Sequence, residues 1–364
     1  MKITMSRKEF ADTLKNVLKA VAVKTMTPIL AGVYLKAENS TLELQATDYS
    51  LGIISKVAAN VEESGETVIV GKKLFEIIQK LTGDTLTITA DDTNSEIKSA
   101  GTKYSLLTFN ANDFPKVNQE EILQTFTLRQ KDFKKLIKQS AFAAADDKTT
   151  LRPIFTGVLF HLKGENLTLA ATNTHRLVVV YEKLPEPVEG EIKNIVPAKT
   201  LENIYSMLDT GEVKISFTKK TASFAFDSYL VTARLISGDF PPYERLLNEE
   251  SNIFATLKPQ EFLQALERVA VIAKETEYNI ARFHFDSDGL NIFATSQDVG
   301  KAEEKISAEV KGGDLDISFN YNYLTDALKV IDAENLTIGM SGELKPIDFQ
   351  LDNFRYIVTP VRRN

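Results

Sequence analysis

One segment of the chain occurs twice and decides the fold: PILAGVYLKAENSTLELQATD runs from Pro28 to Asp48, and PIFTGVLFHLKGENLTLAATN runs from Pro153 to Asn173. The two copies are 125 residues apart and agree at eight of 21 positions. A weaker third copy, NIARFHFDSDGLNIFATS, spans Asn279 to Ser296. Apolar and polar residues alternate on both sides of a polar turn, which predicts a β-hairpin.

The flanking segments repeat as well. Each copy is preceded and followed by an amphipathic segment with helical spacing. The matching apolar residues are Phe10, Phe133 and Phe262 in the first segment and Leu74, Leu201 and Leu324 in the second. The unit of about 120–125 residues is far longer than a solenoid repeat. We therefore predict an α+β protein of three tandem homologous domains, each with two helices packed on β-sheet, at residues 1–121, 122–250 and 251–364.

Composition excludes several classes of protein. The 364 residues include no cysteine, so disulfides, thiolate metal sites and a cysteine nucleophile are excluded. No run of about 18 apolar residues occurs and the N-terminus is polar, so we expect no membrane helix, no secretion signal and a cytoplasmic protein. The net charge of −7 argues against nucleic-acid binding by the whole surface but allows one basic face.

The sequence carries no pattern of an enzyme active site. It lacks HExxH, GxSxG, GxGxxG and a P-loop. Asp286-Ser-Asp288-Gly289 is similar to the start of a calcium loop, but Gln297 stands at the twelfth position, where a bidentate Glu is needed. A hairpin turn is the expected structure there. We predict a protein that is not an enzyme and has no catalytic residue, metal site or cofactor.

Lysines lie off the apolar stripes of the predicted helices. They are Lys8, Lys15, Lys19, Lys72, Lys73, Lys80, Lys131, Lys134, Lys135, Lys138, Lys199 and Lys329. On any one helix, such lysines merely solvate an exposed face. Repeated on one side of several sheets, they would form a basic surface that contacts phosphates without reading bases. The residues alone leave both interpretations open.

Five segments, in order, carry a resemblance to a known family: Arg152–Phe160, Ala171–Leu177, Ser237–Leu247, Phe319–Lys329 and Tyr356–Arg362. Together they resemble the bacterial DNA polymerase III β subunits, the replication sliding clamps, over essentially the whole chain. The resemblance implies a head-to-tail dimer, a six-domain ring whose helices line the hole. It also implies a non-enzymatic, nucleoid-associated processivity factor that encircles double-stranded DNA without sequence preference.

The resemblance also implies partners and sites. The partners are the α subunit of the replicative polymerase, an ATP-driven clamp loader and clamp-motif peptides of repair proteins. The implied partner-peptide pocket, between the second and third domains, comprises Thr172, His175, Arg176, Leu177, Pro241, Leu246, Ile357 and Thr359 in one subsite, and Asn320, Tyr323, Pro360, Val361 and Arg362 in the next. The implied DNA contacts are Lys24, Lys72, Lys73, Thr149 and Lys199. At the dimer interface, Ile272 and Ala273 should meet an edge strand that carries Tyr104, Leu106 and Leu107.

Three residues depart from the family pattern. The family commonly has Asp at Asn173, a small residue at Thr174, and Met or Leu at Thr359. These departures concern which peptides the pocket prefers. They leave open an accessory or mobile-element clamp paralogue that acts mainly as a peptide-binding scaffold. An enzyme built from three repeats is a third alternative, although no repeat carries a nucleophile–base pair or a metal-ligand cluster.

Overall fold

The computed structural model describes residues 1–116, 121–247 and 249–361. The helices among them are α1 (Arg7–Val17), α2 (Gly71–Lys80), α3 (Gln130–Ser140), α4 (Ala198–Tyr205), α5 (Glu244–Leu247), α6 (Pro259–Ala273) and α7 (Tyr321–Leu328). None of these helices is long and apolar enough to cross a lipid bilayer. Two helices of eight or more residues follow one another in each third of the chain, as the repeat predicts.

Strands form most of the fold. In the first third they are β1 (Lys2–Ser6), β2 (Gly32–Glu38), β3 (Thr41–Thr47), β4 (Leu51–Ala58), β5 (Asn60–Glu63), β6 (Gly65–Val70), β7 (Thr85–Ala90), β8 (Asn94–Ser99) and β9 (Thr102–Phe109). In the second they are β10 (Gln124–Arg129), β11 (Gly157–Thr172), β12 (Arg176–Pro197), β13 (Glu212–Phe217), β14 (Thr221–Phe226) and β15 (Tyr229–Arg234). In the last they are β16 (Ile253–Leu257), β17 (Ile280–Asp286), β18 (Gly289–Ser296), β19 (Gly300–Ile306), β20 (Glu309–Lys311), β21 (Leu315–Asn320), β22 (Leu336–Met340), β23 (Ile347–Leu351) and β24 (Phe354–Val358).

The chain divides into two compact units. The first unit comprises residues 1–133 and 203–235, and the second comprises residues 134–202 and 236–364. The first unit contains one 13-stranded sheet, in the order β10-β13-β14-β15-β4-β3-β2-β6-β9-β8-β7-β1-β5. The second contains a seven-stranded sheet, β11-β12-β24-β23-β22-β16-β20, and a four-stranded sheet, β19-β18-β17-β21. The central domain is shared between the units because its strand β15 pairs with β4, whereas its strand β12 pairs with β24.

The repeated segment folds largely as predicted. In the first copy, β2 and β3 form a hairpin whose turn residues Asn39 and Ser40 have φ angles of 49° and 60°. In the third copy, Asp286 lies opposite Gly289, which confirms a hairpin turn rather than a calcium loop. The second copy is continuous strand β11, and its register with β12 shifts at Gly164.

Glycine begins the repeated strand for a steric reason. A Cβ atom on Gly32 would lie 2.4 Å from Cγ1 of Val68 and 2.9 Å from the carbonyl oxygen of Ile29. A Cβ atom on Gly157 would lie 2.5 Å from Cγ2 of Ile195. The chain therefore enters the sheet against its neighbouring strand at a distance that only glycine permits.

The helices bury the predicted apolar stripes. Phe10, Leu14 and Val17 of α1 are fully buried, and Ser6 caps the helix by accepting a hydrogen bond from the amide of Glu9 at 3.3 Å. The helix is shorter than its stripe, because residues 18–20 form a 3₁₀ turn. The fully buried Phe133 and Phe262 occupy the position of Phe10 in α3 and α6.

Candidate functional site

The turn between β11 and β12 is built by its own side chains. The Thr172 hydroxyl donates to the carbonyl oxygen of Arg176 at 2.6 Å and accepts from the amide of Thr174 at 3.1 Å. Asn173 Oδ1 accepts from the amides of His175 and Arg176, each at 3.0 Å. An aspartate would accept the same two bonds, so Asn173 keeps the geometry of the turn without the charge. Thr174 has a φ of 78°, a left-handed backbone that glycine adopts with less strain than the β-branched threonine.

Arg176 fixes this turn against helix α7. Its side chain is 9% exposed, and its guanidinium lies 4.9 Å from the ring centroid of Tyr323 and 5.4 Å from that of Phe142. Nη1 lies 2.6 Å from Oδ2 of Asp326, and Nη2 donates to the carbonyl oxygen of Phe142. Nε has no hydrogen-bond partner among the described residues. Arg176 is therefore a buried support of the site wall rather than an exposed contact.

The proposed two subsites are linked through aromatic contacts. The His175 ring stacks on Tyr323 with centroids 6.2 Å apart and planes 14° apart. The Tyr356 hydroxyl donates to the carbonyl oxygen of Tyr323 at 2.8 Å, and burial raises the pKa of Tyr356. Asn320 caps α7 by accepting from the amide of Asn322 at 3.0 Å. These bonds hold the start of α7 beside the turn.

The C-terminal strand forms the other wall. Leu177 lies opposite Ile357 where β12 pairs with β24. The amide and the hydroxyl of Thr359 both donate to the carbonyl oxygen of His175, at 2.9 and 3.0 Å. The Thr359 hydroxyl therefore already has a hydrogen-bond acceptor within the chain. The methyl group of Thr359 is its only apolar surface toward the site. The amide of Val361 donates to the carbonyl oxygen of Ser318 at 2.8 Å.

An apolar floor lies under the turn. Leu177 and Ile357 belong to a buried cluster with Leu159, Ala170, Val179, Ile195 and Tyr243. Leu246 is 44% exposed and lines a crevice with Ile357, which places a large apolar side chain at the rim. Pro241 is half-buried, and its carbonyl oxygen accepts from the amide of Tyr243 at 2.7 Å. An apolar floor with polar edges suits a peptide anchor. Pro360 is also half-buried, and Arg362 lies outside the described residues.

Three residues of this site are absent from the predicted site residues: Phe142, Asp326 and Tyr356, although Asp326 and Tyr356 lie within segments that carry the resemblance. Asp326 is 150 positions from the arginine that it pairs with, and Phe142 is 34 positions away. Tyr356 contributes a buried hydroxyl from strand β24, whose apolar sequence alone indicates only a core strand. The pairing of β12 with β24 places Tyr356 opposite Val178, whereas Asp326 comes from α7 and Phe142 from the 3₁₀ turn after α3.

The implied DNA contacts are all exposed. Lys24, Lys72 and Lys73 belong to the first unit, whereas Thr149 and Lys199 belong to the second. Two of the lysines pair with a carboxylate one helical turn away: Lys73 Nζ lies 2.5 Å from Oε2 of Glu76, and Lys199 Nζ lies 3.0 Å from Oε2 of Glu202. Lys24 and Lys72 form no ion pair with any described residue. They are therefore the stronger candidates for phosphate contacts.

Not every lysine on the predicted helix faces is free. Lys19 donates to the carbonyl oxygen of Asn203 at 3.4 Å and to the hydroxyl of Ser206. Burial and the neighbouring Lys15 lower the pKa of Lys19. Lys19 is therefore partly used within the first unit, unlike the exposed Lys8 and Lys15.

The residues implied at the dimer interface differ in accessibility. Strand β9 pairs with β8 from Thr102 to Leu107 and with β6 only at Thr108 and Phe109, so its other edge is free from Thr102 to Leu107 within the described residues. Leu107 is 76% exposed, Tyr104 is 37% exposed, and Leu106 is half-buried. On α6, Ile272 is half-buried, whereas Ala273 is fully buried within its own subunit. Ala273 therefore offers no exposed side chain, whereas Val271 is exposed at this end of α6; the contact of Ile272 and Ala273 with a partner stays a prediction.

No group of His, Asp or Glu side chains among the described residues could hold a metal ion. The acidic groups with lowered pKa values either pair with a neighbouring cation, as Glu304 does with Arg268, or accept backbone amides in a turn, as Asp91 does. Another pair involves Glu191, whose pKa is lowered by hydrogen bonds from His161 and Lys163. Such pairs are typical of solvated strands rather than catalytic centres.

The chain is similar over its full length to curated sliding clamps. It is 28% identical over 378 residues to the beta sliding clamp of Bacillus subtilis, covering 100% of both chains. It is 29% identical over 379 residues to that of Streptomyces coelicolor, covering 100% of this chain and 99% of the relative. These matches support the clamp hypothesis and do not favour the scaffold alternative.

Solved structures agree with this fold. The DNA polymerase sliding clamp of Bacillus subtilis superimposes with a TM-score of 0.95 at 27% identity, and that of Pseudomonas aeruginosa bound to griselimycin with a TM-score of 0.93 at 28% identity. Each comparison covers 100% of both chains. The family models for the N-terminal, central and C-terminal domains of the DNA polymerase III beta subunit match residues 1–118, 127–242 and 244–362 in turn. With all three domains matched in order, the chain belongs to the DNA polymerase III beta subunit family, the non-catalytic sliding clamps of DNA replication.

Proposed function

We propose that this chain forms a closed ring of two head-to-tail subunits that encircles duplex DNA and tethers the replicative polymerase. The tandem match of three clamp domains over the whole chain carries this proposal. A ring held by topology needs only weak, sequence-independent contacts with phosphates, and tethering raises the local concentration of the polymerase. Such a protein works beside the nucleoid in the cytoplasm and needs a loader to open it. The domain limits near residues 121 and 250 belong to the same proposal.

The strand pairing supports ring closure. Within one subunit, Leu51 of β4 lies opposite Ala233 of β15, and Arg176 of β12 lies opposite Val358 of β24. The two pairs are related by 125 residues, the same offset as the sequence repeat. Strands β4 and β12 each follow the repeated hairpin segment, and β19 is the corresponding strand of the third repeat. Strands β15 and β24 are the last strands of their domains, and β9 is the corresponding strand of the first domain. Both β9 and β19 have a free edge within the described residues. We infer that β19 of one subunit pairs with β9 of the next.

The repeat also gives the register of this inferred pairing. Lys301 lies opposite Thr295 in the third repeat, and Leu177 lies opposite Thr172 in the second, so Lys301 corresponds to Leu177. The preceding residues, Gly300 and Arg176, therefore correspond as well. Counting along β9 from its turn with β8 makes Leu106 the counterpart of Val358. Gly300 would therefore face Leu106 of the partner, and Glu303 would face Lys103. An exposed strand edge that carries apolar side chains is a surface that pairing would cover.

The remaining sites follow from the same proposal. Lys24, Lys72, Lys73, Thr149 and Lys199 would contact phosphates. The turn at Thr172–Arg176, together with Leu246, α7 and the C-terminal strand, would take short peptides of the polymerase, the loader and repair proteins. The apolar floor, the exposed Leu246 and the stacked His175 and Tyr323 support a peptide anchor.

Light scattering at micromolar concentration tests the ring directly. A head-to-tail dimer has a mass of about 81 kDa, twice the 40.6 kDa of the chain. A mass of 40.6 kDa at that concentration would contradict a stable ring.

A further inference from the structure

A cavity in the first unit repeats the framework of the proposed peptide pocket. It lies at the paired ends of β4 and β15, and its volume is about 450 Å³. Its walls include the turn residues Thr47 and Tyr49 and the strand residue Arg234. Concave sites of this volume are large enough for several side chains of a ligand.

The turns of the two sites have equivalent hydrogen bonds. The amide of Tyr49 donates to the hydroxyl oxygen of Thr47 at 3.0 Å, and the amide of Thr174 donates to that of Thr172 at 3.1 Å. Tyr49 and Thr174 both have a left-handed backbone, with φ of 72° and 78°. The residues of each pair are 125 positions apart.

The neighbouring strand is attached in the same way in both sites. The amide of Arg234 donates to the carbonyl oxygen of Ser50 at 2.8 Å. The amide of Thr359 donates to that of His175 at 2.9 Å. The cavity in the first unit is therefore the internal copy of the proposed peptide pocket, built from the first and second repeats instead of the second and third.

The side chains on this shared framework differ in chemistry. The apolar walls Leu177 and Ile357 of the second unit become Gly52 and Thr232 in the first. Arg234 takes the position of Thr359. The copy is therefore wider, more polar and more basic, so it should not bind the same peptides.

The cavity has a cationic lining. Lys116, Lys220 and Arg234 line it, and no acidic side chain of the described residues does so. Lys116 Nζ lies 3.8 Å from Oε2 of Glu66, whereas Lys220 and Arg234 form no ion pair with any described residue. Two exposed, uncompensated cations favour a ligand that brings carboxylates or phosphates.

Tyr49 makes a peptide a better fit than a nucleic acid. Its side chain is 63% exposed although its backbone is in a region that disfavours bulky residues. With Pro115 and Ala233 it gives the basic cavity an apolar side. A phosphodiester backbone would use the cations but not this apolar side, whereas an acidic peptide with one apolar residue would use both.

We propose that this cavity binds a short acidic peptide segment of a partner protein, with an apolar side chain on Tyr49 and carboxylates on Lys220 and Arg234. The inference rests on the proposed function, because the equivalence with the peptide pocket of the second unit selects a peptide as the ligand. One subunit would then hold two peptide sites of different charge preference.

Fluorescence anisotropy tests this proposal with a labelled heptapeptide of six glutamates around one phenylalanine. The dissociation constant should rise at least about tenfold in Lys220→Ala/Arg234→Ala, because two charge-assisted contacts are lost. It should stay within about twofold in the control Lys219→Ala, because Lys219 is exposed beside the cavity but does not line it. Tyr49→Gly should weaken binding while leaving the thermal midpoint unchanged or higher, because glycine relieves the left-handed backbone.

A parallel titration with a clamp-motif peptide separates this proposal from the proposed function. Leu246→Ala should weaken that peptide and leave the glutamate peptide unaffected. Loss of clamp-motif binding altogether would count against the proposed function alone. Absence of saturable glutamate-peptide binding, equal binding by the double variant, or displacement by equimolar inorganic phosphate or duplex DNA would overturn the acidic-peptide site.

Discussion

The Arg176 guanidinium lies 2.6 Å from the Asp326 carboxylate and joins two segments that are 150 residues apart in the chain. The arginine side chain is 9% exposed and the aspartate side chain 42%, so one partner of the ion pair is buried and the other contacts solvent. Rings of Phe142 and Tyr323 flank the guanidinium. The contact fixes helix α7 against the turn that precedes β12, and thereby sets the shape of the proposed peptide pocket.

Removal of Asp326 should weaken peptide binding and stability together. Asp326→Ala leaves the buried guanidinium without its carboxylate. We expect the free energy of unfolding to fall by about 1–2 kcal/mol, an effect that is moderated by the solvent exposure of Asp326. Affinity for a clamp-motif peptide should fall several-fold, as measured by calorimetry. The control Asp298→Ala removes an exposed carboxylate that forms no ion pair with any described residue. Equal affinities of both variants would refute the positioning role of the pair.

Reversal of the unpaired lysines should weaken the DNA contacts. Lys24→Glu/Lys72→Glu should lower the yield of loading onto nicked circular DNA and the affinity for linear duplex DNA. Each lost phosphate contact should reduce the slope of log affinity against log salt by about 0.9. The control Lys311→Glu/Lys345→Glu has the same change in net charge at exposed positions outside the helices. If both double variants are affected alike, only the overall charge matters and the placed contacts are wrong.

The absence of cysteine allows a direct test of the inferred subunit contact. Lys103→Cys/Glu303→Cys should form an intersubunit disulfide on mild oxidation and yield a covalent dimer on a denaturing gel without reductant. Each single variant should remain monomeric on the same gel, since the chain has no other thiol. Shifting one cysteine by one residue, to Lys103→Cys/Glu304→Cys, turns that side chain to the opposite face and should reduce the yield. Equal yields from the two registers would contradict the pairing.

Alkaline pH should destabilise the fold through buried tyrosines. Tyr356 is fully buried, and burial raises the pKa of its phenol; the same direction holds for Tyr34 and Tyr243. The folded state therefore holds these protons more tightly than the unfolded state. Their contribution is fully present below the ordinary tyrosine pKa of about 10 and decreases as the pH rises above it.

Tyr356→Phe checks this assignment by urea unfolding at pH 8 and pH 11. At pH 8 the free energy of unfolding of the variant should be lower by about 1 kcal/mol, because the Tyr323 carbonyl loses its hydrogen-bond donor. Between the two pH values its unfolding midpoint should fall less than that of the parent chain. The control Tyr49→Phe, at an exposed position, should leave the urea midpoint at pH 8 unchanged. An unchanged pH dependence in Tyr356→Phe would contradict the role of this phenol.

The sequence predicts the repeated parts of the fold and misses the contacts that occur once. The 125-residue repeat indicates the hairpins and helices, because Gly32 and Gly157, or Phe10 and Phe133, satisfy the same local packing in each copy. The Arg176–Asp326 pair and the Tyr356 hydroxyl bond have no counterpart in the repeat pattern. They depend on the pairing of β12 with β24, which local periodicity does not encode. The burial of Ala273, by contrast, follows from helical spacing, because Phe262, Leu266, Val269 and Ala273 lie on one buried stripe of α6.

The central claim is that the protein encircles DNA rather than adhering to it. The most direct measurement loads the labelled protein onto a nicked circular plasmid with the clamp loader of the same organism. The complex is then passed through a gel-filtration column in high salt, before and after linearisation of the plasmid. The account predicts co-elution with the circle and loss from the linear DNA, because a ring slides off free ends. Equal retention on both forms would contradict it, and so would the absence of retention on the circle.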